Sequence, residues 1–256
     1  MANRPRPFRR PLADPRAGAD PVVLRLFVPS ADTAGGRVRI TGAELRHLRT
    51  LRLRPGAVLV VFDEHGAEHE VRLERLGGRE ASAAILSTAR PEREPRMALV
   101  LAPALLKGAK MDLVVEKATE IGVARIAPVL SRHTIGAGHP ERWRRIAVAA
   151  AKQSGRTAVP SVDAPVALAD LVRQPWSGLR LIFWEAERTA RLADLPAHSD
   201  AAIAVVGPEG GFASEEVEDA RALGFTALRL APRILRAETA AIVAATLCLQ
   251  RWGDLG

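Results

Sequence analysis

Gly207-Pro208-Glu209-Gly210-Gly211 follows an apolar run, Ala201 to Val206, and Pro232-Arg233-Ile234-Leu235-Arg236-Ala237-Glu238-Thr239 follows another, Ala227 to Ala231. Each pattern reads as a strand that runs into a loop and then opens a helix. Loops at the carboxyl ends of strands form ligand sites in α/β sheets. Glycine permits positive φ and lets a ligand approach the backbone. The pair predicts one small-molecule pocket made mostly of backbone, with Glu209, Arg233, Arg236 and Glu238 at its rim. The first loop is neither GxGxxG nor a phosphate loop ending in Gly-Lys-Ser/Thr. Alone, it reads equally as a tight turn. The second loop adds weight, because Ala240 to Leu249 is apolar almost all round apart from Thr246, the pattern of a buried helix. Charges just before such a helix are costly without partners or a ligand. A purely structural Arg–Glu pair is the competing account.

The elements that must position these loops are legible from periodicity. Val23 to Val28, Arg37 to Ile40, Ala57 to Phe62, Ala67 to Leu76 and Glu80 to Leu86 read as short strands, with a turn at Asp63-Glu64-His65-Gly66. Thr41 with Glu44 predicts a capping box at the start of a short helix. Together these make a small β-barrel over residues 22–90. Pro91 to Pro95 is a charged, proline-bounded linker. From 96 to 256 the period changes. Strands are expected at Ala98 to Ala102, Arg125 to Leu130 and Leu179 to Trp184. Helices are expected from Met111 to Gly122, from Pro140 to Gly155, from a Ser214 cap to Gly224, and from Ala237 to Trp252. Alternating strands and helices predict a parallel α/β sheet.

The chain of 256 residues carries a net charge of +8, mostly from arginine. That balance favours a polyanionic partner, nucleic acid first, against the plain alternative of a basic, arginine-rich proteome. The lone Cys248 sits in an apolar helical run and reads as a small buried hydrophobe; one cysteine forms no intrachain disulfide. The six histidines lack metal-binding spacing, and no metal is expected. Residues 1–21 are rich in Pro and Arg, lack the apolar core of a secretory signal, and read as a disordered basic tail. With no apolar span of membrane length, a cytoplasmic protein is expected.

Gly207 to Gly211, Leu230 to Ala240 and the closing Arg251-Trp252-Gly253-Asp254 resemble the C-terminal signature of the RsmE family, ribosomal RNA small subunit methyltransferases of the SPOUT superfamily. Arg25 to Val28 and His47 to Arg52 are similar to its N-terminal domain. Lys110-Met111-Asp112, Glu116 to Val123 and Lys152 to Arg156 with Val159-Pro160 are similar to its α/β units. Almost the whole chain after the tail is covered. In the second loop the family commonly has glycine and threonine where this chain has Ala231 and Ala237. A glycine at positive φ would leave Ala231 strained, and a capping threonine would leave Ala237 without its bond.

The resemblance implies an N-terminal PUA-like barrel and a C-terminal α/β domain whose chain threads a trefoil knot. It implies S-adenosylmethionine as cofactor, 16S rRNA of the small ribosomal subunit as substrate, methylation at uridine N3, and a homodimer. The cofactor would be held by Gly207, Pro208, Glu209, Gly210, Gly211, Leu230, Pro232, Arg233, Ile234, Leu235, Thr239 and Ala240. Arg236, Glu238 and Glu209 are the catalytic candidates: Arg236 for stabilising a uracilate, and Glu238 or Glu209 for positioning or for accepting the N3 proton. Arg25, Arg46, Arg49, Arg52, Arg132, Lys152 and Arg156 are candidates for a phosphate track. With six Phe, four Trp and no Tyr, a single flipped base fits better than many stacked ones. A non-catalytic RNA-binding protein is the alternative, and a dinucleotide oxidoreductase is disfavoured by the missing GxGxxG.

Overall fold

The computed structural model describes residues 24–134, 136 and 138–255. The expected tail over 1–21 and Val23 of the first expected strand lie outside the described residues. Contacts divide the chain into two units that meet at Glu92 and Arg93.

The N-terminal unit contains β1 (Arg25–Phe27), β2 (Thr33–Ala34), β3 (Arg37–Ile40), α1 (Gly42–Thr50), β4 (Val58–Phe62), β5 (Glu68–Leu76) and β6 (Ala81–Ala89). They form a curled six-stranded sheet in the order β1-β4-β5-β6-β3-β2, with β1 parallel to β4. Alternation sends Val38 and Ile40 inward to meet Leu26, Leu48, Leu59, Val61, Val71 and Leu73, while Arg37 and Arg39 face water. The β4–β5 turn is fixed by Asp63, whose Oδ1 accepts bonds from the backbone N–H groups of His65 and Ala67. At the start of α1 the expected Thr41 cap is not made by its side chain. At the other end Arg52 takes φ +52°. Its N–H donates to the Arg49 carbonyl, and the Leu53 N–H donates to that of Leu48, the Schellman stop usually given to glycine.

The second unit adds β7 (Ala98–Pro103), α2 (Ala109–Glu120), β8 (Arg125–Ile126), β9 (Val129–Leu130), α3 (Pro140–Ser154), β10 (Ser161–Val162), β11 (Val166–Ala167), α4 (Leu168–Arg173), β12 (Leu179–Phe183), β13 (Ala201–Val206), α5 (Ser214–Ala222), β14 (Thr226–Leu228) and α6 (Ala237–Trp252). Its main sheet is all parallel in the order β10-β8-β7-β13-β12-β14. Period-two alternation divides each strand between two faces. Ala202, Ala204 and Val206 of β13 pack with α2, α3 and α6, whereas Ile203 and Val205 pack with α4 and α5. The strand expected over Arg125 to Leu130 is instead two, because Pro128 has no N–H for a ladder: β8 joins the main sheet and β9 pairs with β11. Pro140 opens α3 and Gly155, at φ +76°, closes it. Ala213, not Ser214, caps α5; its N–H donates to Glu216 Oε2 at 2.9 Å. In α6, Ala241, Ala244, Ala245, Cys248 and Leu249 are buried, and burial pushes the Cys248 thiol up to about 12. No helix among the described residues is long and apolar enough to cross a membrane.

Candidate active site at the ends of β12, β13 and β14

Three neighbouring parallel strands deliver their carboxyl ends to one cavity of about 530 Å³, within the range of small-molecule sites. From β12 come Phe183, Trp184 and Glu185; from β13 come Val206 and Gly207 to Gly211; after β14 come Arg229 to Ala231 and Arg233 to Ala237. Lys110, from the first turn of α2, and Ala240 of α6 complete the wall. The two loops that stand apart in sequence are therefore joined because β13 and β14 both flank β12.

The glycines of the first loop lie at close approaches, and Gly211 also takes a positive φ. A side chain at 211 would need φ +70°, and its Cβ would stand 2.3 Å from Glu185 Oε1. A Cβ at 210 would lie 3.1 Å from His133 Cβ, and one at 207 would lie 3.2 Å from the Phe212 ring. The segment after β12 is held by Glu187. Its Oε1 accepts bonds from the N–H groups of Arg188, Thr189 and Ala190, and its Oε2 meets Arg221 Nη2 at 2.5 Å. The N–H bonds of Thr189 and Ala190 lead in drawing the Glu187 carboxyl down to about 2. Charge at the cavity is mixed: Lys110, Arg229, Arg233 and Arg236 against Glu185 and Glu209.

Glu209 is bound to Lys110, Nζ to Oε1, at 2.9 Å. Burial pushes the Glu209 carboxyl up, but the Lys110 hydrogen bond, its own backbone N–H and the charges of Lys110 and Lys107 outweigh this and hold it below the usual range. The same bond to Glu209 raises Lys110. The ion pair makes Glu209 a weaker base than a free carboxylate. Glu238 is buried and does not line the cavity. Its Oε2 lies 3.8 Å from Lys110 Nζ and accepts no hydrogen bond. Arg236 is exposed, lines the cavity and occupies the N-cap of α6 without a side-chain cap bond. The first N–H groups of α6 open beside it, adding partial positive charge.

Of the expected cofactor residues, Gly207, Pro208, Glu209, Gly210, Gly211, Leu230, Arg233, Ile234, Leu235 and Ala240 line the cavity, while Pro232 and Thr239 do not. Ile234 stands 87% exposed at the rim. Ala231 carries no strain, since Arg52 is the one non-glycine at positive φ among the described residues. Lys110, Trp184, Glu185 and Arg229 were missed. Strand-end position could have found Trp184 and Glu185, but nothing local singles out Lys110.

The arginine candidates separate. Arg46, Arg49 and Arg52 are exposed at α1. Arg132 is exposed and paired with Glu215 at 2.7 Å, and Lys152 is half-buried on α3. Two expectations are corrected. Arg156 is buried: Nη2 binds Glu94 Oε2 at 2.5 Å and Nη1 donates to the carbonyls of Thr119 and Val123. Arg25 is bound to Glu68 at 2.6 Å and stacks 5.0 Å from the Phe62 ring centroid. The Arg156 guanidinium is withdrawn from solvent and organises its own unit, while that of Arg25 is committed to Glu68 and mostly buried.

Residues 92–249 match the family model described as an RNA methyltransferase domain, and residues 40–86 match the RNA methyltransferase PUA domain. Ribosomal RNA small subunit methyltransferase E of Mesomycoplasma hyopneumoniae is 33% identical over 82% of this chain and 93% of its own. The chain belongs to the ribosomal RNA small subunit methyltransferase E family. The Mycobacterium bovis member is 31% identical over 87% of this chain and 90% of its own. A crystal structure of the Neisseria gonorrhoeae member, bound to S-adenosyl methionine, superposes with a TM-score of 0.85 at 33% identity, covering 91% of this chain and all of that one.

Proposed function

We propose that this protein methylates N3 of a uridine in 16S rRNA of the small ribosomal subunit, using S-adenosylmethionine held in the β12–β14 cavity. The observation that carries this is the glycine loop and the Arg233–Arg236 loop meeting in one cavity, in a chain of this family.

The cavity fits the cofactor. Gly207, Gly210 and Gly211 leave backbone where Cβ atoms would crowd Phe212, His133 and Glu185, and Leu230, Ile234 and Leu235 offer apolar surface to an adenosine. Glu185 and Glu209 suit hydroxyl and ammonium groups. The cofactor supplies an electrophilic methyl on a sulfonium. The protein's task is alignment of N3 with that methyl and stabilisation of the uracil as its proton leaves. Arg236 and the open N-terminus of α6 stabilise negative charge on the uracil oxygens. Lys110 binds Glu209, which makes that carboxylate a weaker base than a free one, and Glu209 or Glu238 positions the base or accepts the N3 proton. Arg46, Arg49, Arg52, Arg132 and Lys152 contact phosphates. Residues 22–90 serve as the RNA-binding PUA-like domain and 96–256 as the knotted catalytic domain. Two chains associate through the partly exposed apolar residues of α6, Ile242, Val243 and Leu247, and the enzyme works in the cytoplasm.

The test is deletion of the gene followed by mapping of 16S rRNA modifications. One uridine N3-methyl group is expected to disappear and to return when the purified chain and S-adenosylmethionine are added to the unmodified RNA. An unchanged pattern, with no transfer in vitro, rejects the reading and favours a non-catalytic RNA-binding protein.

A further inference from the structure

Beside the cofactor cavity lies a second depression, lined by Lys107, Lys110, Arg132, His133, Glu209 and Gly210. The two share Lys110, Glu209 and Gly210 as a common wall. Three cations here face one carboxylate, and that carboxylate is already neutralised by Lys110 at 2.9 Å. Arg132 is held by Glu215. The Lys107 ammonium makes no hydrogen bond or ion pair among the described residues. Its charge acts on Glu209, which Lys110 already neutralises, so the depression keeps net positive charge for an incoming anion.

The depression is built rather than incidental. Residues 131–134 are closed by Ser131 N–H donating to Thr134 Oγ1 at 2.9 Å, and are tied to α5 by Arg132 N–H donating to Glu216 Oε1 at 2.8 Å. The missing side chain at Gly210 lets His133 pack against the glycine loop. His133 Nδ1 lies 3.1 Å from the Gly211 carbonyl oxygen. A carbonyl only accepts, so Nδ1 carries the hydrogen, and Nε2 at the far side of the ring becomes a donor on protonation.

We propose that this depression is the subsite for an RNA phosphodiester next to the target uridine, with Lys107 as its main cation and His133 as an auxiliary donor. The inference rests on the methyltransferase reading. A base entering to meet a methyl group brings its own phosphates within a nucleotide's length, and the shared wall puts the cationic depression at that distance. The competing anion is the carboxylate of the cofactor itself.

Lys107→Gln, His133→Gln and Lys107→Arg in the full chain separate these sources, with unmodified 16S rRNA and S-adenosylmethionine titrated independently. For Lys107→Gln, RNA affinity is expected to fall about tenfold and the slope of log affinity against log salt to shrink by about 0.7–0.9, one phosphate contact. Lys107→Arg is expected to keep the slope, and cofactor affinity is expected to stay unchanged in both Lys107 variants. For Lys107→Gln, a loss of cofactor affinity with unchanged RNA slope assigns the depression to the cofactor's carboxylate and overturns the proposal. RNA affinity and slope equal to the parent in both glutamine variants also overturn it, while methylation by the parent chain leaves the broader reading standing. A parent chain that does not methylate the RNA overturns both.

Discussion

Arg156 and Arg236 stand near carboxylates in the same unit, one in a closed arrangement and the other in an open one. Around Arg156 the donors are matched. Glu94 takes Nε and Nη2, two backbone carbonyls take Nη1, and the other Glu94 oxygen accepts the N–H groups of Thr157 and Ala158. Burial pushes the Glu94 carboxyl up, but Arg156 and these N–H bonds win and hold it below the usual range. Around Arg236 nothing closes. The side chain is exposed at a cavity rim, its helix start has no side-chain cap, and the nearby acids are engaged by Lys110. The difference teaches that an arginine's role follows from whether its neighbours already satisfy it. A satisfied one holds the fold; an unsatisfied one at a cavity awaits a ligand.

Substitution at each site tests this contrast. Arg236→Ala is expected to lower the methyl-transfer rate by about 10²–10³-fold, the scale of a lost oxyanion donor, with unfolding temperature and cofactor affinity unchanged. Transfer near the parent rate would deny Arg236 its open role. Arg156→Ala strands Glu94 in a partly buried setting and is expected to cost about 3 kcal/mol, read as a fall in melting temperature of roughly 6–12 °C. A change in RNA affinity without loss of stability would break the comparison from the other side. Gly211→Ala forces an alanine to φ +70° against Glu185. It is expected to weaken cofactor binding about tenfold by calorimetry, a change of about 1.4 kcal/mol, and to leave RNA affinity intact.

The smallest effect concerns acid. Glu187 is drawn from 4.5 to about 2 in the folded chain. A depressed carboxyl stabilises fully above its unfolded value and loses that contribution as pH falls toward the folded one. The melting-temperature gap between the parent and Glu187→Gln is therefore expected at pH 7 and should close between about pH 4.5 and 2. A gap that persists at pH 2 would mean that Glu187 acts through packing alone.

Local signals located much of this molecule. Apolar alternation placed β3 at its observed residues, and the apolar run from Ala240 with the charges before it placed α6 at Ala237–Trp252. Punctuation was less reliable where two groups compete for one role. Glu216 accepts the Ala213 N–H, so the α5 cap lies one residue before Ser214. Pro128 divided an apolar run that periodicity joins. Arg156 reads as a surface cation because Glu94, which buries it, lies 62 residues away.

The sequence by itself determined the strand–loop–helix grammar, the two glycine- and arginine-bearing loops and the family resemblance, because these depend on residue type and short-range spacing. Tertiary structure decided which charges remain available. The order β13-β12-β14 brought the loops together. Lys110 reached Glu209, 99 residues away, and fixed it as an anion. Only contacts between distant segments could make Arg156 a strut and leave Arg236 at the open rim, since a charge is satisfied by what lies near it in space.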